Sequence, residues 1–548
     1  MTSIDEGMAV APGPPADPTR RVAKDAGRVG AATMLSRVLG LLRDLVMAAM
    51  FGAGFASDAF NAAFRVPNML RDLFAEGAMS AAFIPTFTEA ERKRGAEEAW
   101  ALGRQVMSSL LLVLLAVCAI GWLFAGPFVN LLAGGFAQQP GKLELTEWLF
   151  RVMLPFLPLV ALAAVAMGML NARGMFGVPA LAPALLNAGM VVFGLALIPA
   201  FRAIGQPPIV AMAVGVVLGA ALQFGCQLPA LRRQGFRLAF EWPTWPPGVR
   251  RVVQLMGPAT IGLAATNVNV IVASRIASAF VEGSVTWLYC AFRLMQLPIG
   301  VFGVALATVS MPALSRAAVD EDLPALKSTL SASARLVLVL TMPAAMLMAV
   351  LAQPVIALLF EHGRFHAGDT ARTAEALVMY CLGLPAFAAI GVFSRTFYAL
   401  GDTRRPMIAS LTAVAVNLAL NLSLVGPLRF LGLDHRGIAL AASLAAVVNL
   451  AQLGWQLRRR IGGFDGRRIL ATFLRVLAAS AAVGAVLWLG LRSLGDAWRH
   501  GHLAQLATVA GGLALGVVLG WGALRLARVE ELAVLEDLAK GLRRRFGR

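Results

Sequence analysis

Apolar residues run through this chain in long blocks, broken by short connections rich in arginine. A helix of about 20 such residues crosses the hydrocarbon core of a bilayer. Walked in order, the blocks fall at about 28–51, 58–88, 104–132, 148–172, 178–201, 208–231, 251–281, 284–314, 332–360, 373–400, 406–430, 437–457, 468–491 and 503–526. Continuous Leu, Ala, Val and Gly with only 3 Tyr argues against a β-barrel, whose strands would alternate in polarity. The pattern predicts an all-α, polytopic inner-membrane protein of about fourteen transmembrane helices.

The chain also repeats itself. Ala63-Phe64-Arg65 recurs as Ala291-Phe292-Arg293, 228 residues on. Pro85, Pro158 and Pro179 recur as Pro312, Pro385 and Pro406, each 227 on, and Gly225-Cys226-Gln227-Leu228 as Gly454-Trp455-Gln456-Leu457, 229 on. One match is chance; five in order at a nearly constant offset are not. An even number of spans per copy makes the two copies parallel, with a cavity expected between them. The expected organisation is a disordered tail over 1–27, an N-terminal lobe over 28–235, a linker over 236–250, a C-terminal lobe over 251–460, two extra helices over 461–528 and an amphipathic basic tail over 529–548.

Composition agrees with the pattern. Of 548 residues, 58% are hydrophobic and 14% charged, against about 25% charged in soluble domains. A net charge of +18 would suggest nucleic acid in a soluble protein. Here the basic residues sit in the connections. Arg92-Lys93-Arg94, Arg232-Arg233, Arg250-Arg251, Arg404-Arg405, Arg458-Arg459-Arg460 and Arg543-Arg544-Arg545 fall on one side, while the other carries isolated residues such as Lys142, Arg202 and Arg364. The basic side, with both termini, is expected to be cytoplasmic. Cys118, Cys226, Cys290 and Cys381 lie in apolar segments and read as free thiols. No nucleotide loop, zinc pattern or nucleophile elbow is present, so neither cofactor, metal nor enzymatic chemistry is expected. His362 and His366 read as loop residues, with Gly363 between them.

Charge inside the spans is the informative signal, because it is costly there and usually faces a wet cavity. The first span holds Arg37, Arg43 and Asp44. In the second, Asp58, Asn61, Arg65, Asn68, Asp72 and Glu76 fall within about 80° of one another on a helical wheel, with Arg71 off that stripe and Pro67 able to redirect it. The second repeat contributes Arg275 and Arg293. Six arginines against four acids leave the set cationic. Internal pairing that merely holds helices together is the plainer alternative.

Ser36-Arg37-Val38-Leu39-Gly40 with Arg43-Asp44 resembles the first-helix signature of the MurJ (MviN) lipid II flippases. So do Phe51-Gly52-Ala53-Gly54, Asp58-Ala59-Phe60, Pro67-Asn68-Met69-Leu70-Arg71, Phe74-Ala75-Glu76-Gly77-Ala78, Gly257-Pro258-Ala259, Arg293-Leu294-Met295 and Gly303-Val304-Ala305-Leu306. The resemblance implies the fold of the multidrug/oligosaccharidyl-lipid/polysaccharide exporters, with the last two helices framing a groove for a lipid tail. It implies translocation of lipid II, an undecaprenyl-diphosphate-linked disaccharide-pentapeptide, across the bacterial cytoplasmic membrane by alternating access. Membrane lipids are then partners, nucleic acid is not, and the chain works as a monomer near the cell-wall machinery. Arg37, Arg43, Asp58, Arg71 and Arg293 match positions important for flipping; Asp44, Arg65 and Glu76 join them as candidates on their placement. Gln296 stands where some relatives carry an acid. Where some members bind sodium, this chain offers Asn267, Asn269, Asn417 and Asn421 and no carboxylate. A multidrug/cation antiporter would want an acidic cavity. A polyprenyl-linked glycosyltransferase would want catalytic carboxylates on larger loops.

Overall fold

The structure, a computed structural model, describes residues 18–71, 78–244, 247–254, 271–425, 432–533 and 536. Its helices are α1 Pro18–Phe51, α2 Phe55–Arg71, α3 Ala78–Arg94, α4 Ala96–Leu123, α5 Ala125–Ala133, α6 Lys142–Met153, α7 Phe156–Ala172, α8 Gly177–Ala203, α9 Ile209–Gly225 and α10 Leu228–Arg233. After the linker come α11 Ser284–Pro298, α12 Ala305–Val319, α13 Leu323–Val350, α14 Ala352–Phe360, α15 Ala367–Ala399, α16 Arg404–Val425, α17 Asp434–Ile461, α18 Gly466–Leu494 and α19 His502–Leu526. The chain is all-α, and eleven helical segments among the described residues are long and apolar enough to cross a membrane. α1 and α2 fall short of that measure for the reason they matter: α1 carries Arg37, Arg43 and Asp44, and α2 has only 17 residues. The span expected over 251–281 lies mostly outside the described residues; its ends, 247–254 and 271–277, are helical.

Several expected spans are pairs of helices. Pro155 cannot donate a backbone N–H, and α6 gives way to α7 there. Pro298 ends the regular turn of α11, and a π-helical stretch, Ile299–Val304, follows before α12. The described part of the first helix reaches back to Pro18, inside the stretch expected to be a tail. At the other terminus, Val529 and Leu532 are buried with Leu338 and Val476, and Glu531 pairs with Arg335. Residues 529–533 thus pack against α13 and α18, where their apolar side chains and their acid find partners. The rest of that tail, 537–548, lies outside the described residues.

The packing follows the repeat. α3 lies on α4 and α7, and its counterpart α12 lies on α13 and α15. α8 lies on α9, as α16 does on α17. α18 packs on α13 and on α19, outside both copies. The two ends of the molecule differ. At the end bearing the arginine clusters, each lobe has its own core: Phe83, Phe87, Trp100 and Phe236 in the first, Leu330, Phe393, Phe397 and Leu457 in the second. Toward the far end, one core spans both lobes, joining Met47, Phe60 and Leu132 to Leu288, Phe360 and Phe365. Among the described residues, the lobes therefore close on each other at the far end and part at the basic end.

The linker and the opening residues of the expected second lobe, through Val252, stay with the first lobe. Glu241 pairs with Arg104 and donates its N–H to Ser108, Phe236 packs against Trp100, and Arg251 reaches Glu89 at 2.7 Å. The Lys93 hydrogen bond, together with Arg251, holds the Glu89 carboxyl below the usual range. That contact is therefore intact at neutral pH and is lost only as pH falls through the lowered value.

Candidate functional site: a cationic cavity under a far-end latch

Between the lobes lies a cavity of about 610 Å³ lined by Arg37, Arg43, Arg65, Arg71 and Arg293, with Asp44 as the acid among the described lining residues. These side chains come from α1, α2 and α11, so both lobes contribute. The wall is held by a shared acid. Asp44 Oδ1 accepts from Arg43 Nε at 3.0 Å and Nη2 at 2.7 Å, while Oδ2 accepts from Arg293 Nε at 3.0 Å. Tyr289, one turn before Arg293, donates to Asp44 at 3.2 Å and accepts from Arg43 Nη2 at 3.1 Å. Asn187 of α8 accepts from Arg43 Nη1 at 3.1 Å and donates to the Ser36 and Pro183 carbonyls.

Small residues let the cations approach. The Arg293 guanidinium lies where a side chain on Gly40 would meet it at 3.3 Å, and Arg37 lies against Gly300 in the π-helical stretch. Asn61 and Asn68 line the cavity beside Arg65, as the stripe on the second span anticipates. Arg71 lines it too, although a straight helix would point it elsewhere. Asp72 and Glu76 lie outside the described residues.

Asp58 sits apart from that lining and does something else. Its Oδ2 accepts from Lys142 Nζ at 3.0 Å and from the Gly283 N–H at 2.8 Å. Its Oδ1 accepts from the Thr286 N–H at 3.0 Å and the Thr286 hydroxyl at 2.8 Å. A carboxylate on the first lobe thus caps the N-terminus of α11 on the second, where the helix dipole favours negative charge. Around it, the Arg364 N–H donates to the Ala49 carbonyl at 2.9 Å, and Glu282 accepts from the Phe55 N–H at 2.6 Å. Gly52 (φ 68°) and Gly363 (φ 60°) permit that backbone approach, each abutting the other lobe's main chain. Together these contacts form a latch over the far end of the cavity.

Arg275 belongs to this end as well. It is exposed and lies against Gly134 and not in the cavity lining, so the charge balance expected from the sequence changes. Five lining arginines and one aspartate make the described wall +4. Lys142, Tyr289 and Asn187 had not stood out. Tyr289 could have been found from its position four residues before Arg293, and Asn187 from being an amide inside an apolar helix. Lys142 gave no signal beyond being a lone lysine in a far-side connection. Asn417 accepts from Asn421 Nδ2 at 2.7 Å within α16, while Asn267 and Asn269 lie outside the described residues.

The model of the family described as lipid II flippase MurJ matches residues 47–508. The chain belongs to this family. A probable lipid II flippase MurJ of Vibrio cholerae is 36% identical over 91% of this chain and 95% of its own, and one from Rhizobium meliloti is 37% identical over 84% and 85%. Among solved structures, a lipid II flippase MurJ in an inward closed conformation superposes with a TM-score of 0.74 at 26% identity, over 91% of this chain and 98% of that one. An inward-facing multidrug transporter of the MATE family shares the fold at a TM-score of 0.65 and 16% identity.

Proposed function

We propose that this chain carries lipid II from the inner to the outer leaflet of the bacterial cytoplasmic membrane by alternating access. One observation carries the mechanism: a single core joins the lobes above the cationic cavity, and two separate cores flank it below. The basic end is cytoplasmic by its arginine excess, which puts both termini inside and makes this the inward-facing state. Lipid II offers a diphosphate, and planar guanidinium groups bind its oxygens in pairs. Its sugars need water, which the cavity supplies, while the polyprenyl tail stays in lipid along α18 and α19.

Transport follows from the latch. Head-group phosphates draw on Arg293 and Arg43, which in the empty state share the single carboxylate of Asp44. Loosening that bridge frees α11 from α1, and the Asp58 cap on the same helix can then break. No covalent chemistry is involved, and the chain acts as a monomer near the enzymes that use its product. The test is to deplete the protein and identify the lipid-linked precursor that accumulates in the inner leaflet. Lipid II is the expected answer; accumulation of a different precursor, or of none, overturns the assignment.

A further inference from the structure

A second chamber opens off the cavity. It encloses about 450 Å³ inside the second lobe, between α11, α15, α16 and α17, and within the size range of ligand pockets. Arg65, Tyr289 and Phe292 line both spaces, so they form the doorway between them. Most of the chamber wall is aliphatic or aromatic, including Val285, Leu288, Phe387, Val414 and Ile438. Among the described residues, its polar groups beyond Arg65 and Tyr289 at the doorway are few and separate: Ser274, Tyr380, Ser410, Asn417 and Asn449.

Two features of this chamber ask for an occupant. Asn449 is 8% exposed, and its side-chain oxygen is buried without a hydrogen-bond partner among the described residues. A buried acceptor left unmet is costly, and a donor N–H would recover that cost. At the doorway, Arg65 lines the opening beside Tyr289, and no carboxylate pairs with it among the described residues. Arg43 and Arg293, by contrast, already share Asp44.

We propose that this chamber receives the peptide arm of the transported head group, with Arg65 pairing with a peptide carboxylate at the doorway. This rests on the assignment of lipid II as cargo. A peptide fits the chemistry better than a sugar does. Small aliphatic side chains match an apolar wall, and amide N–H groups match isolated acceptors such as Asn449. A sugar would need a dense set of polar partners. The diphosphate, in turn, is left to Arg37, Arg43, Arg71 and Arg293.

The experiment measures binding to the purified full-length chain of three probes: undecaprenyl diphosphate, its disaccharide derivative without peptide, and complete lipid II. Complete lipid II is expected to bind most tightly. Arg65→Gln should weaken complete lipid II about tenfold or more, to the level of the peptide-free lipid, and leave the peptide-free probes within about twofold, as loss of one charge-assisted hydrogen bond predicts. Ala446→Phe, which fills the chamber without touching a charge, should act the same way. Equal weakening of all three probes by Arg65→Gln, or unchanged lipid II binding by Ala446→Phe, overturns the peptide chamber and leaves lipid II as cargo. Failure of the unmodified chain to bind any of the three overturns the cargo assignment itself, and the chamber proposal with it.

Discussion

Lys142 donates to Asp58 across 3.0 Å, and the two side chains are sealed from solvent at 1% and 2% exposure. Both belong to the first lobe, so the pair travels together when the lobes part. What breaks is the set of three donors that Asp58 receives from Gly283 and Thr286. Lys142 also lies over the Phe136 ring, 4.5 Å from its centre, which fixes its ammonium group.

Removing one partner from a buried ion pair costs about 3–5 kcal/mol, because the survivor keeps an uncompensated charge. Lys142→Met should therefore destabilise the latched state, in which Asp58 is buried, relative to the open one. Labelling of Ala53→Cys by an impermeant maleimide from outside should accelerate. Adding Asp58→Asn removes the stranded charge and should slow labelling again toward the starting rate. A double variant that labels as fast as Lys142→Met alone contradicts a charge-based latch.

In the cavity, Asp44 separates two cations that would otherwise face each other. Arg43→Ala and Arg293→Ala should each abolish complementation of a depleted strain at normal protein level. Lysine at either position should rescue only in part, since a point charge loses the paired geometry. Asp44→Asn should also fail, by leaving Arg43 and Arg293 to repel. Immunoblots decide between roles: variants missing from the membrane would make these residues structural props.

The wall charge bears on energy supply. Two negative charges on a diphosphate gain about 4–5 kcal/mol on moving outward through 100 mV, at about 2.3 kcal/mol per charge. A wall of five arginines and one aspartate stays behind to the extent that the lobes rock around it. Collapsing the potential with an ionophore at constant sodium and pH should lower lipid II at the outer leaflet. Withdrawing sodium alone should not. The opposite pair of outcomes would sink this assignment.

Much of this was legible beforehand, for physical reasons. Span positions follow from apolar length, and the parallel lobes from a repeat whose unit crosses the membrane an even number of times. Arg37, Arg43, Asp44 and Arg293 could be gathered as a set because intramembrane charge has few uses. Asp58 could not be separated from them on a helical wheel, since its partners, Lys142, Gly283 and Thr286, lie 84 or more residues away. Arg275 misled for the same reason: only tertiary packing shows that it ends against Gly134. Breaks at Pro155 and Pro298 were readable as kinks, but their direction was not, and that direction brings Arg37 against Gly300.

The most direct measurement locks the latch and watches the cargo. With the four native cysteines replaced, Ala53→Cys and Glu282→Cys stand on opposite lobes, where Glu282 accepts from the Phe55 N–H and the Ala53 carbonyl lies 3.0 Å from where a side chain on Gly283 would begin. In cells carrying this pair, lipid II at the outer leaflet is assayed by an added enzyme that cleaves only exposed lipid II. Oxidation should drop the cleaved fraction to that of depleted cells, and reduction should restore it. An undiminished cleaved fraction with the crosslink fully formed would contradict lipid II passage through an opening of the lobes at this end.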